Sequence, residues 1–456
     1  MKNMTPIRIA QLCDGIYYGD DALGEKELSS IVTDNRQVIE EGMFIAIKGA
    51  KVDGNRFVPA AYEAGALCCM SEDAPADPAK PYIQVKDCLQ AIQKIAAYYR
   101  QVNTAKVIGI TGSVGKTTTK EMLASVLSVH YTTLKTLGNF NNELGLPLTL
   151  FRLRPEHEIA IVEMGISDFG EMSRLTQIAK PDLCVITNIG QCHLEQLHDR
   201  DGVLRAKTEI FEGLNTEGTA YLNGDDDKLQ TITQVHGKPP VFFGIGENNA
   251  VHPVKITSRG LAGTDLVVQT PQGMLEVHVP VPGRHMVTNA LAATAIGLDL
   301  GLTGEEIAKG IEQFRPVDGH GSVYTTDKFT IMDDCYNANP VSMKAGLDLL
   351  AEVPERKVAV IGDMFELGEK EQLLHFEVGA YAAKSAIDVY VCAGTLAKQY
   401  VAGLQEGQTK AEIHAFDTME EAADALAQIV RPSDAILVKA SHGMHFEKIV
   451  ASLKEM

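Results

Sequence analysis

Lys116 follows a glycine and precedes threonines in Thr111-Gly112-Ser113-Val114-Gly115-Lys116-Thr117-Thr118, an order of residue types suited to phosphate chemistry. The apolar run 107–110 predicts a buried strand ahead of this loop, and Glu121, Leu123, Ala124 and Leu127 continue beyond it in a helical pattern. In a strand–loop–helix unit the backbone N–H groups from Gly112 to Thr118 and the helix dipole face an anion. The lysine then reaches the outer phosphates, and the Thr117 hydroxyl joins a Mg²⁺ shell. Ile110 stands where the general P-loop pattern has its first glycine. The segment predicts nucleotide binding, and leaves the use of the nucleotide to the rest of the chain.

Other polar groups follow predicted strands, where open α/β sheets hold their ligands. Glu163 ends the run 159–162, and a carboxylate there, opposite Thr117, serves Mg²⁺ directly or through water. Asn188 and His193 come after the run 183–186; one such His reads as a hydrogen-bonded structural residue or as a metal ligand. Lys207, in the helical stretch 205–211, reads locally as a solvated lysine. Asn289, in Gly283-Arg284-His285-Met286-Val287-Thr288-Asn289, is either a helix cap or a reader of a purine edge. The segment Asp333-Asp334-Cys335-Tyr336-Asn337-Ala338-Asn339-Pro340 is rich in turn formers, but a turn needs neither two adjacent acids nor a tyrosine.

Three look-alikes drop out. Asp168-Phe169-Gly170 spells a kinase motif without the catalytic loop that should precede it. Asp225-Asp226-Asp227 lacks the alternating spacing of a calcium loop. His442-Gly443-Met444-His445 has no third metal ligand nearby.

The elements that must position these groups alternate between strand and helix. Residues 1–84 carry short strands at 31–33 and 42–47 and a helix at 58–64; an amphipathic helix at 88–99 then leads to the P-loop strand. The runs 159–162 and 183–186 suit a parallel sheet buried on both faces. Residues 238–281 read as successive hairpins with Gly-Ile-Gly and Pro-Gln-Gly turns, followed by a helix at 287–300. After residue 316 the α/β pattern restarts, with strands at 329–332, 358–361, 389–392 and 435–438 and no GxGxxG dinucleotide fingerprint. The expected domains are 1–84, 85–314 and 315–456.

At 456 residues the chain has room for about three cores. Its net charge of −19 argues against a nucleic-acid partner, though a local positive cluster still admits a small anion. The 8 cysteines show no CxxC and sit mostly in apolar runs, as in a reducing compartment. No signal-peptide core and no membrane-length apolar run is present, so a cytoplasmic protein without membrane partners is expected.

These pieces stand in one order: TGSVGKTTTKE (111–121), GNFNNELGLPLTL (138–150), VEMG (162–165), TNIG and HLE (187–195), AKTEIF (206–211), GRHMVTNALAA (283–293), DDCYNANP (333–340) and GDMFELG (362–368). In that combination the chain resembles the Mur ligase family over nearly its whole length. The resemblance implies an α/β protein of three domains. Residues 1–84 would form a small α/β domain for the UDP-sugar-peptide. Residues 85–314 would form a central P-loop ATPase-type, mostly parallel sheet, and 315–456 a C-terminal Rossmann-like domain. It implies an ADP-forming amide ligase for peptidoglycan precursors, acting as a monomer. The pairing of GNFNNELG with DDCYNANP, and the absence of a DNPR signature, imply UDP-N-acetylmuramoyl-tripeptide and D-Ala-D-Ala as substrates.

The same resemblance assigns roles. Gly112, Ser113, Val114, Gly115, Lys116, Thr117 and Thr118 would hold the ATP phosphates, with Thr117 and Glu163 on one Mg²⁺. His193 would share a second Mg²⁺ with Lys207, converted by CO₂ into an anionic carbamate. Asn289 would contact adenine with His285 beside it; Asp334 would hold the ribose, with Asn337 and Asn339 at that interface. Thr33, Asn35, Arg36 and Asn55 match segments that hold the uridine diphosphate end, and Asn139, Asn141 and Asn142 would lie toward the muramoyl peptide. The chain departs from the family at His320 and His442, where arginine is usual, and at Asn55, where histidine is usual. The departures at His320 and His442 admit a related ligase with another amine or carboxylate. A nucleotide-binding module without ligase chemistry is a third reading, which the substrate-type N-terminal domain opposes.

Overall fold

Runs of buried strand residues separated by one-sided helices produce four sheets in the computed structural model, which describes residues 1–49 and 52–456. The N-terminal sheet has five strands in the order Ile16–Tyr18, Tyr82–Gln84, Cys68–Ser71, Met43–Ile45, Ile31–Val32, parallel except at its first pair. The helix Cys88–Val102 leaves this sheet. Asp87 caps it by accepting from the Gln90 N–H, and Ala91, Ile92, Ile95, Ala96 and Tyr99 form its buried face. It runs three residues beyond the expected end, and Arg100 fixes it to the central unit through the Ala179 carbonyl and the Asp182 carboxylate, each at 2.9 Å.

The central sheet is entirely parallel, with six strands ordered Val241–Phe243, Thr219–Asn223, Leu183–Ile186, Lys106–Thr111, Ile159–Glu163, Thr133–Lys135. Ile159–Glu163 and Leu183–Ile186 are buried throughout, which is why they read as unbroken apolar runs rather than alternating ones. The chain reverses direction about Lys106–Thr111. The carboxyl ends of this strand and its two neighbours therefore open one crevice, and the P-loop, Glu163 and Asn188 all lie there.

Two readings of this unit change. Val241–Phe243 pairs in parallel with Thr219–Asn223, so the hairpins begin only later, as the antiparallel meander His252–Ser258, Thr264–Thr270, Gly273–Val279. The helix expected at 287–300 spans Arg284–Asp299 with Gly283 at its cap. Asn289 therefore lies in the second turn and is no cap.

The C-terminal sheet has the order Ser322–Thr325, Thr330–Asp333, Ala435–Lys439, Lys357–Gly362, Val389–Ala393, Glu412–Phe416, parallel beyond its opening hairpin. The last strand in sequence inserts between the second and third, bringing Lys439 beside Asp334 at the carboxyl edge. Among the described residues, no helix is long and apolar enough to cross a membrane.

Candidate functional site

The P-loop is held open by its glycines and by the loop after Leu183–Ile186. Gly115, at φ +82°, caps the helix Lys116–Leu127, and Gly112 lies at φ +149°. A Cβ on Gly112 would meet Thr187 Oγ1 at 1.9 Å. Asn188 organises the loop from outside: its carbonyl accepts from the Ser113 N–H at 3.0 Å, its Oδ1 from the Val114 N–H at 2.9 Å, and its Nδ2 donates to the Val114 carbonyl at 3.0 Å. Two of the seven expected loop amides are thus engaged by Asn188. The N–H groups of the helix's first turn are left unpaired, and a helix start of this kind suits an anion. Lys116 Nζ donates to the Gly112 carbonyl at 2.8 Å, laying the cation across the loop.

A measurable consequence follows for Gly112→Ala. The φ alone costs about 1–3 kcal/mol, and the new methyl displaces Thr187 from its bond to the Val114 carbonyl. Urea unfolding should show a lowered midpoint, and ADP titration a weakened affinity. Gly237→Ala, also at positive φ but in open space, should lose stability alone.

Glu163 is 2% exposed and fully engaged. Its Oε2 accepts from Thr117 Oγ1 at 3.0 Å, its Oε1 accepts from Asn141 Nδ2 at 2.9 Å, and Lys120 Nζ lies 3.6 Å away. A hydroxyl and a carboxylate side by side, at a helix start that attracts phosphate, are the oxygen donors a hard divalent cation takes. The residues fit Mg²⁺ there. Asn141 is pressed against Gly165, whose added Cβ would meet its carboxamide at 2.9 Å. Asn142 Oδ1 accepts from the Gly145 N–H at 2.8 Å and so shapes its own loop; Asn139 is exposed.

Lys207 is not the solvated residue its local sequence suggests. It is 1% exposed, and its pKa is lowered to about 8, mainly by burial, with Cys192 opposing and Lys116 adding to the fall. Among the described residues its amine has no hydrogen bond, and no group of three or more His, Cys, Asp or Glu side chains is arranged to hold a metal. His193 stands at φ +51°, with Nδ1 2.8 Å from Glu366 Oε2 of the C-terminal unit.

The C-terminal unit supplies the opposite wall. Lys439, 1% exposed, donates to Asp334 Oδ2 at 2.6 Å and to the Asn337 carbonyl at 3.1 Å, fixing the turn that carries both. Asn339 caps the helix Pro340–Ala351, accepting from the Val341 and Ser342 N–H groups at 3.1 and 3.0 Å. Tyr336 is stacked between His320 and His442, with ring centroids 4.2 and 5.2 Å away. Burial holds the His320 imidazole below its ordinary pKa, so it is neutral near pH 7.

A cleft of about 830 Å³ lies between the two walls. It brings together residues 113–118, Asn139, Asn141, Asn142, Glu163, His193, His285, Asp334, Asn337 and Asn339, and adds Tyr336, Glu366 and Lys439. Gly112 and Lys207 lie behind the wall. Asn289 does also, buried with its Oδ1 accepting from Thr119 Oγ1 at 3.0 Å. Thr33, Asn35, Arg36 and Asn55 lie apart in the N-terminal unit. There Arg36 forks onto Asp34, and Asn55 bridges Asp73 at 2.8 Å and Ser71 at 2.5 Å. Sequence reasoning singled out Asn188 by its position after a strand but gave it no role in shaping the P-loop, and it did not single out Glu366, whose partner lies far away in sequence.

A P-loop sheet facing a second parallel α/β sheet across one polar cleft defines a nucleotide-using enzyme architecture with a capping domain. Three family models match in succession: the Mur ligase family catalytic domain at residues 27–100, the Mur ligase middle domain at 110–297, and the Mur ligase glutamate ligase domain at 321–442. The UDP-N-acetylmuramoyl-tripeptide–D-alanyl-D-alanine ligase of Bacillus subtilis is 36% identical, over 94% of this chain and 93% of its own. The enzyme of the same name from Escherichia coli is 34% identical over 99% of each chain. A crystal structure of MurF from Acinetobacter baumannii superposes with a TM-score of 0.89 at 33% identity, over 99% of each chain. The Thermotoga maritima MurF ligase in complex with ADP gives 0.82 at 27%, over 96% of this chain and 98% of its own. The chain belongs to the Mur ligase family.

Proposed function

We propose that this protein is an ATP-dependent, ADP-forming amide ligase that joins D-alanyl-D-alanine to a UDP-N-acetylmuramoyl-tripeptide. The observation that carries this is the end-to-end similarity to ligases of that name, at 36% identity over 94% of the chain and 34% over 99%. The substrates belong to cytoplasmic peptidoglycan synthesis.

A carboxylate is a poor acyl donor, so the tripeptide carboxylate first attacks the γ-phosphorus of ATP. The bond to the bridging oxygen breaks, ADP leaves, and an acyl phosphate forms. The amine of D-Ala-D-Ala then attacks the acyl carbon, and the tetrahedral intermediate expels phosphate as the amine loses its proton. Lys116 and the first-turn amides face the transferring phosphoryl group. Thr117 and Glu163 would hold Mg²⁺, which when bound spreads the phosphate charge. His193 and Lys207 are the residues proposed for a second ion. The buried, weakly basic amine of Lys207 is the form that CO₂ can convert to an anionic ligand. Asp334, held by Lys439, is offered to the ribose, with His285 near the base. Asn139 and Asn141 face the peptide, while Thr33, Asn35, Arg36 and Asn55 serve the uridine diphosphate. The two walls exclude the water that would hydrolyse the acyl phosphate.

The test is product formation followed by mass, with Lys- and diaminopimelate-containing tripeptides side by side. ADP and ligated pentapeptide should appear only when ATP, tripeptide and D-Ala-D-Ala are all present. ADP release that ignores both acceptors would sink the reading.

A further inference from the structure

The acidic run Asp225-Asp226-Asp227, which lacks the spacing of a calcium loop, is tied instead to the loop after Leu183–Ile186. Asp226 Oδ2 accepts from the Ile189 N–H at 2.8 Å, and its side chain is only 8% exposed. Arg200, the first residue of the helix Arg200–Thr208, donates from Nε to the Ile189 carbonyl at 2.8 Å and from Nη1 to Asp227 at 3.1 Å. The Ile189 N–H belongs to the same planar peptide as the Asn188 carbonyl, which accepts from the Ser113 N–H. The Ile189 carbonyl shares the next plane with the Gly190 N–H, which donates to Ser113 Oγ at 2.8 Å. Two successive peptide planes thus run from Asp226 and Arg200 to one residue of the P-loop.

We propose that Asp226 and Arg200 are positioning residues for the nucleotide phosphates, acting on Ser113 through these two planes. A peptide plane resists twisting, so a bond that fixes its outer edge also fixes its inner one. Both outer bonds carry a charged partner, which makes them the stronger kind. Arg200 also opens the helix that holds Lys207, so one side chain sets that helix in register with the P-loop. The inference rests on the reading that the P-loop binds nucleotide.

Asp226→Asn keeps one oxygen for the Lys228 and Leu229 N–H groups, which Oδ1 accepts at 2.9 and 3.0 Å, and turns its new amide toward the Ile189 N–H. It therefore breaks the tie to Ile189 and leaves the local turn. Arg200→Met removes the second tie from the other side. Asp225→Asn is the control, because Asp225 accepts from the Ile245 and Gly246 N–H groups in the same run and does not touch Ile189. Amide hydrogen exchange without nucleotide should quicken at Ser113 and Val114 by at least about 10-fold in Asp226→Asn and in Arg200→Met. ADP titration should show about 10-fold weaker binding in the same two variants. Asp225→Asn should lower the urea midpoint and change neither readout. Unchanged exchange in both variants, unchanged ADP affinity beside a parent chain that binds ADP, or an equal loss in Asp225→Asn overturns the proposal. If the parent chain binds no ADP while the exchange changes appear, the nucleotide reading fails and the positioning of Ser113 stands.

Discussion

Lys116→Met should lower kcat for ligation by about 10³-fold, as loss of a preorganised charge facing a reacting group does. The magnitude follows from what the other cations of the cleft are doing. Lys120 is buried against Glu121 and Glu163, at 3.3 and 3.6 Å. Lys439 is locked onto Asp334 at 2.6 Å, and burial keeps the His320 imidazole neutral near pH 7. Lys116 has only a carbonyl partner, so its charge is free to meet a phosphoryl group. The change also removes the bond that ties the side chain to Gly112, so ADP affinity should fall with kcat. Steady-state kinetics with ADP titration check both, and a loss of less than about 10-fold in kcat would place the phosphate-facing charge elsewhere.

Lys207→Met should abolish ligation and yet stabilise the fold. The folded-state pKa of about 8 lies below the ordinary lysine value of 10.5 because burial disfavours the ammonium. Between those two pH values the unfolded chain holds a proton that the folded chain has released, so stability rises with pH across that window. Below it the folded chain carries the whole penalty, about 3 kcal/mol at pH 7. Methionine fills a similar volume without the charge. In CO₂-free buffer at pH 7 the variant should therefore unfold at higher urea than the parent, with the gap closing toward pH 10. A variant less stable than the parent at pH 7 would show that the buried amine has a compensating partner.

The architecture was legible wherever a strand is buried on both faces, since 159–162 and 183–186 carry their periodicity in the residues themselves. The hairpin reading of 238–281 erred at its first strand. Val241–Phe243 is too short for its period to distinguish a parallel edge from a hairpin arm. The P-loop was legible because its chemistry is local: glycines, lysine and threonine sit within eight residues. Lys207 was not, because its burial comes from elements that fold over it; its only local sign is the helical spacing that puts it on one face with buried Val203. Asn289 was misread as a possible cap for the opposite reason. Its helix starts earlier than the apolar pattern does, at Arg284. The His193–Glu366 pair joins residues 173 positions apart, and no spacing rule reaches that far.

The carboxylate oxygens of the tripeptide test the central claim most directly. If the carboxylate is activated by phosphoryl transfer, tripeptide labelled with ¹⁸O in that carboxylate must deliver one labelled oxygen to each phosphate released, with one retained in the new amide. Mass analysis of phosphate and product after a single round of ligation with ATP and D-Ala-D-Ala should show this one-to-one partition. Phosphate free of ¹⁸O alongside ligated product would contradict the acyl-phosphate route.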